Sequence, residues 1–140
     1  MADADTGSHP SNVPVPKPLC DVEGLAAEEG APAGAVWRLT ESGRQLDANL
    51  VHVPAGRHIE THVEPDLDVL LLVVRGTGTL DTAQEPQPLR EGGLIWLPHG
   101  SSRSVTAGED GVSYLTVHRR RPGMRIRRHT SDSPSGAAPG

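Results

Sequence analysis

The chain has 140 residues and a formal net charge of −5, with 16 glycines, 13 prolines, two tryptophans, one tyrosine and no phenylalanine. That length holds one domain with one core, and the scarcity of aromatic residues leaves Val and Leu to fill it. The single cysteine, Cys20, excludes an intramolecular disulfide and a cysteine zinc cluster; no apolar stretch approaches the ~20 residues of a membrane helix and the N-terminus lacks a basic-then-apolar signal pattern, so a soluble cytoplasmic protein is expected.

Residues 1–18 read as a disordered leader, because four prolines among Ala, Asp, Ser and Thr leave little to bury. Leu19 to Glu29 predicts a short helix, ended by Gly30 and Pro32. From Val36 the grammar changes to short runs of β-formers between turn residues. These are Val36–Thr40, Leu46–Val53, His58–Val63, Val69–Val74, Gly78–Thr82, Gln87–Leu89, Leu94–Leu97, Ser102–Thr106 and Val112–His118. Strands recurring this often with Gly or Pro between them predict an all-β sandwich or barrel. Val69–Val74 is apolar throughout, as a strand buried on both faces would be. Gly76 and Gly78 predict a hairpin bend, with Thr79 starting the return strand. Pro122-Gly123 ends the pattern, and residues 122–140 read as a disordered tail, Arg-rich and then low-complexity.

The charge is split along the chain. Residues 1–118 carry 17 acidic and 7 basic side chains, whereas residues 119–140 carry six arginines and only Asp132. Arg119, Arg120, Arg121, Arg125, Arg127 and Arg128 suit phosphate contacts. No aromatic residue is interleaved for base stacking, however, and the acidic body repels nucleic acid, which is therefore not an expected partner. The alternatives are a solvated tail, or one lying against the acidic body of its own or a neighbouring chain.

Two stretches carry a resemblance. Gly56 is followed after five residues by His62, then Glu64, with Gly76 closing the segment; Gly92 is followed by Pro98 and Gly100 at motif spacing. Together they resemble the two sequence motifs of the cupin superfamily. The resemblance implies a single small antiparallel β-barrel or jelly roll over residues 19–121, with a homodimer common in such proteins. It also implies a site: in that family three His and one Glu hold a divalent metal, a donor set that suits Fe, Mn, Ni or Zn.

Compared with those positions, His62 matches and Glu64 stands where the second His would be. Counting forward from Glu64 puts Asp68 at the Glu position; counting back from Gly76 puts Val69 there. The glycine register favours Val69, and a bulge over residues 66–68 that turns Asp68 inward is the alternative. Arg103 replaces the last His and cannot ligate, and Ala107 replaces a motif Asn. The metal set left is His62, Glu64 and Asp68, with His118 joining if the face of Val112, Tyr114, Thr116 and His118 points inward. His52 and His58 are open, His58 more naturally in an exposed turn. If Arg103 projects inward it is expected to pair with Glu64 beside His62, an ion pair standing where a metal would be.

Three functions follow. The first is a barrel binding a small polar or anionic molecule through His62, Glu64, Arg103 and His118 without a complete metal site. The second is a metal-dependent oxygenase or isomerase with a non-standard ligand set, and the third an interaction module working through the Arg-rich tail. No phosphate-binding loop competes with these, since Arg75–Thr79 links strand to strand, and nothing fixes Ser101, Ser102, Ser104 and His99 as a triad.

Overall fold

The computed structural model describes residues 13–121. The first 12 residues of the expected leader and the whole segment 122–140 lie outside it. One short helix, α1 (Val22–Ala26), precedes seven strands: β1 (Gly34–Arg38), β2 (Leu46–Val53), β3 (His58–Val63), β4 (Val69–Thr82), β5 (Gln87–Leu89), β6 (Leu94–Leu97) and β7 (Ser102–Arg119). The helix falls inside the expected window, and no helix among the described residues is long and apolar enough to cross a membrane.

All seven strands belong to one antiparallel sheet, ordered β1-β2-β7-β4-β5, with β3 on β7 and β6 on β4. The two long strands organise it. β4 pairs with β7 along nearly its whole length, from Val69 opposite His118 to Thr82 opposite Arg103. The half of this ribbon near His118 carries β2, β1 and β6, and the half near Arg103 carries β3 and β5. The ribbon folds over between the halves, so the two sets of strands face each other as a jelly roll.

This corrects the expected hairpin at Gly76–Gly78: the strand continues through both glycines. Gly76 does take a positive φ of +84°, but a Cβ there would lie 2.1 Å from the Gly111 carbonyl oxygen, and one on Gly78 would lie 2.5 Å from the Thr106 carbonyl oxygen. The ladder also slips between Val73 and Arg75 and again between Gly76 and Gly78. These glycines let β4 and β7 bulge and bend together at close approach. Likewise Ser102–Thr106 and Val112–His118 are the two ends of one strand.

Strand alternation sends Val69, Leu71, Val73, Leu80, Leu97, Val105, Val112 and Tyr114 inward, where they form one buried cluster. Leu50 faces the other way and is still completely buried; α1 packs against β2 and β4.

Candidate functional site

Between the two halves of the sheet lies a cavity of about 380 Å³, within the ordinary range of small-molecule sites. Register explains its layering. Along β7 the inward positions run from Ala107 near the bend, through Val105, to Arg103; on the returning arm they run from Val112 through Tyr114 and Thr116 to His118. On β4 they run from Val73 through Leu71 to Val69. The end at the bend is filled, the middle layer mixes Leu71 and Val105 with Asn49, Tyr114 and Thr116, and the far end is a polar rim.

His62 and Glu64 reach that rim through an irregularity. Ile59 pairs with Val105 and His62 with Arg103, so Glu60 and Thr61 together stand opposite Ser104 alone. This bulge keeps Ile59, His62 and Glu64 all on the cavity wall. The His62 Nδ1–H donates to the Glu60 carbonyl at 3.2 Å, and the His118 Nδ1–H to the Arg119 carbonyl at 2.8 Å. In their neutral forms both imidazoles then keep Nε2 as an acceptor.

Glu64 is buried, with 6 % of its surface exposed. The expected Glu64–Arg103 ion pair is corrected here, because the arginine bonded to Glu64 is Arg121. A second carboxylate oxygen accepts the Asp66 backbone N–H at 2.9 Å. Burial works to raise the Glu64 pKa, but these two donors and the charges of Arg121 and Arg103 outweigh it and hold the carboxyl below its usual range. Arg103 is equally buried, at 6 % exposure. Among the described residues it makes no salt bridge and its guanidinium donates only to the Ser101 carbonyl at 3.4 Å and the Ser101 hydroxyl at 3.3 Å, both long contacts. Burial pulls its pKa down against the opposing attraction of Glu64 and Tyr114. Tyr114, in the layer below, is buried too. Burial, partly offset by Arg103, pushes its phenol up to about 12, so it stays an O–H donor at neutral pH.

Asp68 is the second correction. It points out of the barrel, and its carboxylate accepts both the backbone N–H of His99 at 2.9 Å and the His99 Nδ1–H at 2.7 Å. Together with the Gly100 N–H bonded to the Glu64 carbonyl at 2.7 Å, this stitches the segment after β3 to the Pro98–Gly100 turn. Val69 takes the inward position instead, as the glycine register predicts. His52 bonds Ser113 at 2.9 Å, and His58 bonds Glu60 at 3.3 Å on the surface.

The set His62, Glu64 and Asp68 is therefore not assembled, and among the described residues no three His, Cys, Asp or Glu side chains gather to hold a metal ion. The family's metal does not fit these residues: one donor position is a valine, another a cation, and the carboxylate is engaged by Arg121. Sequence reasoning missed Arg121 as part of the site. Its only signal was a run of three arginines, indistinguishable from a solvated tail.

No protein-family model matches the sequence, and no curated protein sequence matches it. Solved structures do. The chain is similar to the cupin domain of Cnp3 from Schizosaccharomyces pombe (TM-score 0.55, 16 % identity, covering 61 % of this chain and 59 % of that one). It is also similar to a cupin-2 domain-containing protein from Shewanella frigidimarina (TM-score 0.51, 17 % identity, 61 % and 82 % covered). A double-stranded β-helix protein from Klebsiella pneumoniae superposes with a TM-score of 0.61 at 14 % identity over 74 % of this chain and 90 % of that one. The chain thus spans about six-tenths of the length of the Cnp3 chain it matches. With the two-motif pattern and the folded-over β4–β7 ribbon, these likenesses define a single-barrel protein of cupin fold.

Proposed function

We propose that the barrel binds a small anion through Arg103. The supporting observation is the state of that residue: a permanently charged guanidinium, buried at the cavity rim, with no carboxylate in salt-bridge contact among the described residues. An uncompensated buried charge costs several kcal/mol, and an anion entering the cavity would relieve that cost while meeting the planar donor fork of Arg103. Tyr114 adds an O–H donor from below. Glu64 is withheld from competing by Arg121, which keeps the local field positive. His62 and His118 line the same cavity and shape its rim.

Binding by calorimetry tests this. A panel of small organic and inorganic anions is titrated into the full-length protein and into Arg103→Gln. At least one anion is expected to bind and to lose tenfold or more in affinity on the substitution. Binding by none of them, or equal binding by the variant, rejects the reading.

A further inference from the structure

We infer that the anion is a hydroxylated carboxylic acid, its carboxylate held by Arg103 and its hydroxyls by Asn49 and Thr116 on the facing wall. This rests on the proposed anion site and adds what the body of the ligand must be.

The body is selected by the wall that faces Arg103. Asn49 on β2 and Thr116 on β7 are cross-strand partners; both line the cavity and both are half-buried. Tyr114, two residues before Thr116 on the same face of β7, is buried and lines it too. Among the described residues none of these three side chains has a hydrogen-bond partner. Polar groups withdrawn from the surface are ordinarily paired; these stand open to the cavity.

Their chemistry specifies the partner. The Asn49 amide and the Thr116 hydroxyl each donate and accept, and the Nε2 atoms of neutral His62 and His118 accept. A hydroxyl, which also does both, meets every member of this set. An alkyl body would strip water from Asn49 and Thr116 and return nothing. Leu71 and Val105, which line the same cavity, offer contact to the carbon skeleton of the same molecule.

The charge is read from Arg103, the buried guanidinium without a salt bridge among the described residues. The buried Glu64 carboxylate lines the same cavity, so one negative charge is tolerated there better than two. That favours a carboxylate over a phosphate monoester, which carries about −1.5 to −2 at pH 7.

The test is isothermal titration of the full-length protein with gluconate, galactonate and mannonate. Beside them stand hexanoate (six carbons and no hydroxyl), sorbitol (the hydroxyls and no charge) and sorbitol 6-phosphate. At least one of the three hydroxy acids is expected to bind roughly tenfold or more tightly than each of the comparison compounds. Thr116→Val, which keeps the side-chain shape and removes the hydroxyl, and Asn49→Leu should each weaken that acid severalfold and leave hexanoate unchanged. Both variants give a readout if an Arg103 variant fails to fold. Hexanoate binding as tightly as the best hydroxy acid, or no selective loss in either variant, overturns the hydroxylated body. Sorbitol 6-phosphate binding as tightly overturns the carboxylate. Each of these results leaves the anion site standing, whereas failure of every anion to bind removes both.

Discussion

Arg121 reaches back 57 positions to bond the carboxylate of Glu64, fastening the end of β7 to the segment that follows β3. Side-chain exposure is unequal, 44 % for the arginine and 7 % for the glutamate, so the cost of breaking the pair should depend on which partner is removed. Arg121→Ala leaves a buried carboxylate with one backbone donor and the unbonded charge of Arg103. We expect a loss of roughly 1–2 kcal/mol, a charged hydrogen bond discounted for the exposure of Arg121. In the Arg121→Ala background Glu64→Gln should cost little more, because the charge it removes is already stranded. Urea denaturation of the two single variants and the double variant measures the coupling.

Acid should loosen the same fastening. The Glu64 carboxyl is held below its ordinary value of 4.5, with burial opposing and the Arg121 and Asp66 donors prevailing. Asp68 is held below 3.8, chiefly by the His99 backbone N–H and then its imidazole. Folded carboxyls with lowered pKa bind fewer protons than unfolded ones, so their stabilisation is complete above the ordinary carboxylate range and disappears as pH falls through the lowered values. Urea midpoints should therefore decline below about pH 5. The Glu64→Gln variant should decline less steeply over the same interval; an identical slope would count against a depressed Glu64.

The outward turn of Asp68 separates a structural carboxylate from a metal ligand. Asp68→Asn keeps an acceptor for the His99 backbone N–H and loses the carboxylate's contact to the imidazole, so the urea midpoint is expected to fall only slightly. Because the donor set does not assemble, dialysis against a chelator should leave the melting temperature of the parent protein unchanged. A drop restored by a divalent cation would overturn this.

Arg103 should be a liability to the fold. Arg103→Leu replaces a desolvated cation by a side chain suited to its neighbours Val105 and Leu80, and should be neutral or stabilising, on the order of 1 kcal/mol. The same variant should lose anion binding. Clear destabilisation would show that the guanidinium is better satisfied in the free protein than its two long contacts to Ser101 imply.

Two glycines with nearly the same φ make a controlled comparison. Gly76 (φ +84°) meets the Gly111 carbonyl oxygen at 2.1 Å from an added Cβ, whereas Gly92 (φ +85°) has nothing within 4 Å. Gly92→Ala should cost only the backbone strain, about 1 kcal/mol. Gly76→Ala should cost that and the separation of β4 from β7 besides, a difference visible in thermal unfolding.

Much of this architecture was legible in the sequence because its punctuation is local. Pro54-Ala55-Gly56, Gly92-Gly93 and Pro98-His99-Gly100 bound their strands directly, and β2, β3, β5 and β6 begin and end where those residues predict. The continuity of β4 and β7 was not legible: a glycine pair inside a strand signals a bend, and only the glycine opposite it decides between a hairpin and a bulge. Facing was partly legible. The Gly76 register put Val69 inward, and two-residue spacing kept His62 and Glu64 together. Arg121 escaped for a physical reason, since which of three adjacent arginines finds a buried carboxylate depends on how the far end of β7 is aimed.

The bulge at Glu60–Thr61 sets how this wall tolerates change in length. Two residues there occupy the place of one, so deleting either would restore an even ladder with Ile59, His62 and Glu64 still directed at the cavity. The interval between Gly56 and His62 is thus an elastic joint, where a residue can be surrendered without re-aiming the side chains beyond it. Elsewhere in β3 the same deletion would invert every position that follows.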